Sequence, residues 1–448
     1  MAKIVKTLTL IAPVFIVSAQ PGFGSTDGAL QGPELPPQQE QKMGPVIEQY
    51  DTAERSPIWA DAGELSAMME VAARTYPTVL SARANERAAE AGLKGARWQR
   101  FPSVSVEALG TATGAGKNDY SFNVEGPLWT GGRISGTIKL SRAQVTAAKS
   151  GIEEAQLDVS LRVAAAYFEF QRLLQRETIL EESLAEHQKL VDSMERRVAV
   201  ELSPVSDLDL ARSRTAQVAQ ELAVTGGQRR IALNRLRELT GDPALRVSSV
   251  LRYDPTKHHP AAGSLLEDVL AFDPTRRRLQ AEILAADADV QVRKASILPQ
   301  LNAQYQKPMY GSDRLGIVLR AQADGGFSRF SAVTAAQERR AAAEIAIQAN
   351  ERNLREAIDA DLLENAVARE RASSSTLSAK SAQAVTDSFM RQFVAGRRTW
   401  FDVMNAVRES MTARLGEVDA RVSAMASATR LILRSGRWTP FAVEKEAQ

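Results

Sequence analysis

A chain of 448 residues with a net charge of +2 and no cysteine excludes several classes of protein at once. A near-neutral balance lacks the concentrated basic patch of nucleic-acid binders. Without thiols there is no disulfide, no thiolate metal site and no cysteine nucleophile.

In chain order, residues 1–19 read as a secretory signal peptide. Lys3 and Lys6 precede a largely apolar run from Leu8 to Val17, and Val17-Ser18-Ala19 offers a small-residue cleavage end. The competing reading, a short membrane anchor, meets a run too brief to span a bilayer comfortably. No later segment is long and apolar enough for a transmembrane helix. Residues 20–58, rich in Pro, Gly, Gln and Ser, read as a disordered leader.

From there the chain repeats itself. Pro77-Thr78 followed by Pro102 returns as Pro274-Thr275 followed by Pro299. Gly131-Gly132 returns as Gly325-Gly326, and Asp207-Leu208-Asp209-Leu210-Ala211 as Asp402-Val403-Met404-Asn405-Ala406. The offset stays between 194 and 197 residues, which marks a duplicated half-protein and not a short solenoid unit. The first repeat spans 59–250 and the second 264–436. A linker at 251–263, containing His258-His259-Pro260, joins them, and a tail at 437–448 follows.

Before each long hairpin lie period-two segments, about 103–128 in the first repeat and 299–323 in the second. Val104, Val106, Tyr120, Phe122 and Val124 alternate with polar residues. So do Leu301, Ala303 and Tyr305, and Ile317 and Leu319 recur at the same step. Such segments suit strands crossing an outer membrane, apolar outward and polar inward, with Tyr120, Trp129 and Tyr310 at the interfaces. They equally describe soluble hairpins packed on helices. Four strands cannot close a barrel, so membrane strands would require further copies of the chain.

Proline-free stretches rich in Ala, Leu, Arg, Glu and Gln follow, predicting long helical hairpins at about 134–241 and 328–436. Leu157, Leu161, Ala164 and Phe168 keep coiled-coil spacing. After a slip, so do Leu180, Leu184, His187, Val191, Met194 and Val198. A helix of about 67 residues would reach roughly 100 Å. At the first turn, Ser203 suits an N-cap and Pro204 the first helical position. At the second, Gly396 can end the long helix, and Thr399 with Asp402 resembles a capping box. Gly226-Gly227 reads as a kink in the first return helix.

No nucleophile–base arrangement is present, so the chain is predicted not to be an enzyme and to carry no cofactor. His258-His259 with only His187 beside them argue against a metal site. Gly131-Gly132-Arg133 lacks the Lys-Ser/Thr of a phosphate loop.

The run Gly126-Pro127-Leu128-Trp129-Thr130-Gly131-Gly132-Arg133 and the two tip motifs, Ser206 to Ala211 and Gly396 to Ala406, resemble the TolC family of outer-membrane channels for efflux and type I secretion. The resemblance covers roughly residues 60–435. It implies a mainly helical chain, with duplicated hairpins building a tunnel and four strands per chain joining a trimeric twelve-stranded barrel. Most of the chain would lie in the periplasm. It implies as partners a homotrimer, a periplasmic adaptor (membrane fusion protein), an inner-membrane transporter of ABC or RND type and outer-membrane lipid, with no nucleic acid. Gly131, Gly132, Gly325 and Gly326 would mark the strand-to-helix entries. The gate would fall on Ser206, Asp207, Arg398 and Thr399, with Asp402 and Asn405 at the constriction and a contact between Asp207 and Arg398 holding it shut. Asn405 departs from the family's second carboxylate, which predicts weaker cation block. Asp207 and Asp402 also stand in first turns, where the helix dipole alone stabilises a carboxylate by about 0.3–1 kcal/mol.

The missing lipidation cysteine points to type I secretion, and the second tip is similar to ducts exporting large adhesins. The alternatives are a multidrug efflux duct and, in another class, a periplasmic adaptor or coiled-coil scaffold.

Overall fold

The computed structural model describes residues 63–109, 119–255, 264–308, 311–321 and 328–440. The signal and leader segments, His258-His259, Tyr310, Gly325-Gly326 and the end of the tail lie outside these residues.

The described residues form eight helices and four strands. They run α1 (Gly63–Thr75), α2 (Pro77–Trp98), β1 (Ser103–Leu109), β2 (Asp119–Trp129), α3 (Arg133–Ala199), α4 (Val205–Thr240), α5 (Leu265–Phe272), α6 (Pro274–Ala295), β3 (Gln300–Pro308), β4 (Arg314–Arg320), α7 (Ser328–Val394) and α8 (Trp400–Arg434). The second six elements repeat the first six. The repeated prolines have a local cause. Pro77 and Pro274 are the first residues of α2 and α6, where the missing N–H costs nothing and the fixed φ suits the helix. α2 and α6 are each 22 residues long, and α3 and α7 are each 67. In the sequence only the prolines mark these short helices ahead of the strands.

The strands form one antiparallel sheet in the order β1-β2-β3-β4. β2 pairs with β3 across the whole of the first hairpin, bringing Val124 opposite Tyr305 and Gly126 opposite Ala303. The sheet therefore joins the two repeats. Below it the helices lie side by side. α3 packs on α2 and α6 in its first half and on α4 and α8 farther along, and α7 packs on α6 and α8. Going towards the turns, the row reads α4-α3-α8-α7.

The main core gathers where α1 covers the row. Leu65, Met68 and Met69 of α1 join Val159, Val163 and Tyr167 of α3, with Leu236, Leu415, Met425 and Trp438. Each such buried side chain contributes about 1.5–3 kcal/mol relative to exposure. The segment after α4 straps this core. Gln171, fully buried, donates to the Ser249 carbonyl at 2.6 Å. One Glu64 oxygen accepts from the Ser248 hydroxyl at 2.5 Å and the other from the Ser249 hydroxyl at 2.7 Å, with both backbone amides adding longer bonds. Burial by itself would raise the pKa of Glu64, but these bonds outweigh it and hold the carboxyl below its ordinary range.

One local reading is corrected. Pro204, not Ser203, is the N-cap of α4, because the Ser203 hydroxyl accepts from Arg197 Nε at 3.3 Å instead of capping. Gly226-Gly227 lie inside α4. A Cβ on Gly226 would stand 3.0 Å from a Glu177 oxygen, so this glycine makes room for a neighbour's side chain. His187 is buried in the seam as its spacing required, and its ring bonds to the Ser183 carbonyl of its own helix at 2.8 Å.

Both long helices end in the same turn. Leu202 N donates to Arg197 O, and Arg397 N donates to Gln392 O, each at 2.8 Å, which is the six-to-one bond of a Schellman end. The turn needs a left-handed residue. Gly396 supplies it at φ 71°, whereas the first tip places Glu201 there at φ 58°. A side chain in that region costs about 1–2 kcal/mol. Glu201→Gly is therefore expected to stabilise the first tip by about 0.5–1 kcal/mol, the gain being reduced by glycine's extra freedom when unfolded. Hydrogen exchange at the Leu202 amide should slow, and unchanged or faster exchange would contradict the strain.

Candidate functional site

Two places concentrate chemistry that a self-contained soluble fold does not need: the sheet and the two tips.

In an antiparallel pair, opposite residues share a face. The register therefore sorts the sheet into two surfaces. Val104 faces Val124 and Val106 faces Phe122. Leu301 faces Leu319, Ala303 faces Ile317, and Tyr305 faces Leu315. This surface is apolar across all four strands, broken by Lys307 near one end. It is not covered by the chain's own helices: Val106 is 69% exposed and Leu315 82%. The opposite surface carries Ser103, Ser105, Asn123, Glu125, Asn302, Gln304 and Arg320. There Glu125 accepts from Asn302 at 2.6 Å and pairs with Arg320 at 2.9 Å.

The strand alternation anticipated these two faces. It did not anticipate the aromatic cluster at the helical end, where Trp98 and Phe101 stand 5.1 Å apart at the end of α2. Both are exposed, as are Trp129 at the end of β2 and Phe330 at the start of α7. Trp98 ends a helix and Phe101 follows a turn, so neither lay in a period-two segment.

The entry from strand to helix is built on Gly131 and Gly132, with φ 59° and 90°. A Cβ at Gly131 would come within 2.9 Å of Leu298, so this turn requires glycine for both conformation and space. β2 thereby passes within a few residues into α3, and the polar-lined sheet stands directly above the long helices.

At the far ends, the chain itself brings the two tips together. Leu190, Val191 and Met194 of α3 and Leu208 and Ala211 of α4 form one buried cluster with Phe393 of α7 and Trp400, Val403, Met404 and Val407 of α8. Thr399 caps α8, its hydroxyl accepting from the Asp402 amide at 3.2 Å. Asp402 pairs with Arg398 at 3.6 Å. The Arg398 guanidinium also donates to Gln392 at 3.2 Å and lies over the Phe389 ring at 4.2 Å. Asn405, half-buried one turn farther on, accepts from Arg408 at 3.4 Å. Ser206 is exposed, and the Asp207 amide donates to Pro204 O at 3.1 Å. Among the described residues no hydrogen bond or ion pair joins Asp207 to Arg398. Within one chain, Arg398 is held by its own hairpin.

Among the described residues, no helix is long and apolar enough to cross a membrane, and no cluster of His, Asp or Glu stands ready for a metal.

The family described as outer membrane efflux protein matches residues 69–242. No curated protein sequence matches the chain. Solved structures share its fold at low identity. One, titled for CusC and its transmembrane channel formation, has a TM-score of 0.76 at 15% identity, covering 87% of this chain and 95% of that one. A membrane protein from Pseudomonas aeruginosa gives 0.75 at 17%, covering 89% and 99%. The outer membrane protein VceC from Vibrio cholerae gives 0.73 at 17%, covering 85% and 99%. The family match thus covers the glycine motif and the first tip, and the mainly helical fold with a four-stranded sheet that the resemblance implied is present.

Proposed function

We propose that this chain, similar over residues 69–242 to the outer membrane efflux family and folded throughout like solved members of it, is one subunit of a homotrimeric outer-membrane exit duct. The observation that carries the reading is the sheet: one face apolar and exposed, the other polar, and both edges open. In a bilayer the apolar face meets acyl chains and the polar face meets water. Unpaired edges in hydrocarbon cost several kcal/mol for each unsatisfied backbone group. Strands of other copies then complete the barrel, and the exposed aromatics Trp98, Phe101, Trp129 and Phe330 sit at the periplasmic interface. The helical row hangs below into the periplasm and ends in the tips.

In this reading substrate enters from an inner-membrane transporter through an adaptor, passes along the helical tunnel and leaves through the barrel. The chain itself carries out no reaction; the energy comes from the transporter. The tips form the constriction. The buried cluster that unites them must be repacked for the end to widen. Three copies of Asp402 around one axis attract cations, and the pairing with Arg398 tempers that attraction. Asn405, neutral and engaged with Arg408, adds no second acidic ring.

We assign the duct to type I protein secretion, supported by the missing lipidation cysteine and the composition of the second tip. The efflux alternative is favoured by the description of the matching family.

Three outcomes are expected. The mature protein should fractionate with the outer membrane as an oligomer that dissociates on heating, and recovery only from soluble periplasm would overturn the reading. In planar bilayers, Asp402→Ala should weaken block by multivalent cations several-fold, and unchanged block would remove Asp402 from the constriction. Deleting the gene should remove one or more secreted proteins while leaving drug sensitivity unaltered, and the converse pattern would favour efflux.

A further inference from the structure

The duplication supplies a ruler for how one copy meets the next. α3 and α7 begin at Arg133 and Ser328, and α4 and α8 at Val205 and Trp400, an offset of 195 residues in both cases. Within the chain, the long helix of the first hairpin packs on the return helix of the second. That α3–α8 seam is charged. Asp419 receives Arg172 at 3.3 Å and Arg176 at 2.7 Å, and farther down Arg414 pairs with Glu182.

α7 and α4 are the equivalents of α3 and α8, but they lie at opposite ends of the row α4-α3-α8-α7. Shifting the seam by 195 residues predicts which residues would meet if α7 of one copy took the place of α3 and α4 of the next that of α8. Arg172 becomes Val367, Arg176 becomes Arg371 and Glu182 becomes Leu377. Asp419 becomes Val224 and Arg414 becomes Ala219. Four of these five positions carry apolar side chains, and all five are exposed within the single chain, Leu377 by 68%. Where the internal seam has ion pairs, the shifted seam has apolar groups lacking cover. The cluster at the tips extends the pattern: Leu190, buried in the internal seam, corresponds to Val385, which is exposed.

We infer that a second copy of this chain covers this stripe: α7 packs on α4 of the neighbouring copy in the register of the internal seam, with Val367 and Arg371 against Val224 and Leu377 against Ala219. The inference rests on the proposed ring assembly and adds its residue-level register. Arg371 has no ion pair within the chain among the described residues, and its stem can lie over Val224 with the guanidinium reaching water. The reason for the change from charged to apolar pairs follows from assembly. A seam between separate chains must offset lost translational freedom, for which desolvating apolar surface is more effective than exposed ion pairs.

The test uses the full-length chain in membranes. Val224→Arg places a like charge against Arg371 and is expected to abolish the heat-dissociable oligomer. Adding Arg371→Asp should restore it. Because the chain has no cysteine, Leu377→Cys with Ala219→Cys introduces the only thiols, and a short bis-maleimide should link neighbouring copies through them. The pair Leu377→Cys with Val205→Cys, displaced along the helices, should stay unlinked. An intact oligomer in Val224→Arg, or linkage of the displaced pair in place of the predicted one, would overturn the register while leaving the assembly standing. A wild-type chain that forms no oligomer would remove the reading on which the register rests, and the register with it.

Discussion

β1 and β4 each present a row of backbone amides and carbonyls that the four-stranded sheet leaves unpaired. In water those groups are solvated and the sheet could end there. Its apolar face, however, runs across all four strands and stays uncovered, which fits lipid far better than water. Once lipid is the surrounding medium, the edges must be closed by strands of other copies, since hydrocarbon offers the backbone no partner. Most of the proposed architecture follows from this constraint. The number of strands fixes how much of a barrel one chain can build. The Gly131-Gly132 turn then places the long helices directly beneath it.

Duplication gives the chain two versions of each part, and the versions have diverged where their surroundings differ. One long helix is enclosed by the chain itself and meets its neighbour through Arg172, Arg176 and Asp419. Its counterpart lies at the end of the row and presents Val367 and Leu377. The tips diverge too. The same Schellman turn is relaxed at Gly396 and strained at Glu201, and only the second is capped by a side chain, that of Thr399. The two tips therefore differ in backbone strain and capping within a single chain.

Several features of the site were legible because they depend on near neighbours in sequence. Gly396 ending α7, Thr399 capping α8 and the alternation of the sheet all involve residues no more than a turn or a strand apart. Ser203 had the right type and position for a cap, yet its hydroxyl went to Arg197, a competitor one turn back. The grip on Arg398 by Phe389 and Gln392 crosses the turn, and its cation–π geometry leaves no periodic trace. Trp98 and Phe101 lay outside every patterned segment, and only the folded chain sets them at the same end of the sheet as Trp129. Nothing in residue types foretold the left-handed Glu201. That conformation is imposed by the turn the preceding helix must make.

The sequence by itself determined the duplication, the long helices, the alternating strands and the sites of the turns, because each is written in short-range periodicity and in residues with restricted backbones. Tertiary structure alone decided that β2 pairs with β3, that α3 rather than α7 occupies the interior of the row, and which charges meet across the seam. Those choices join residues more than a hundred positions apart. They depend on which packing buries the most apolar surface while pairing the charges it brings into the seam, and no local pattern encodes that comparison.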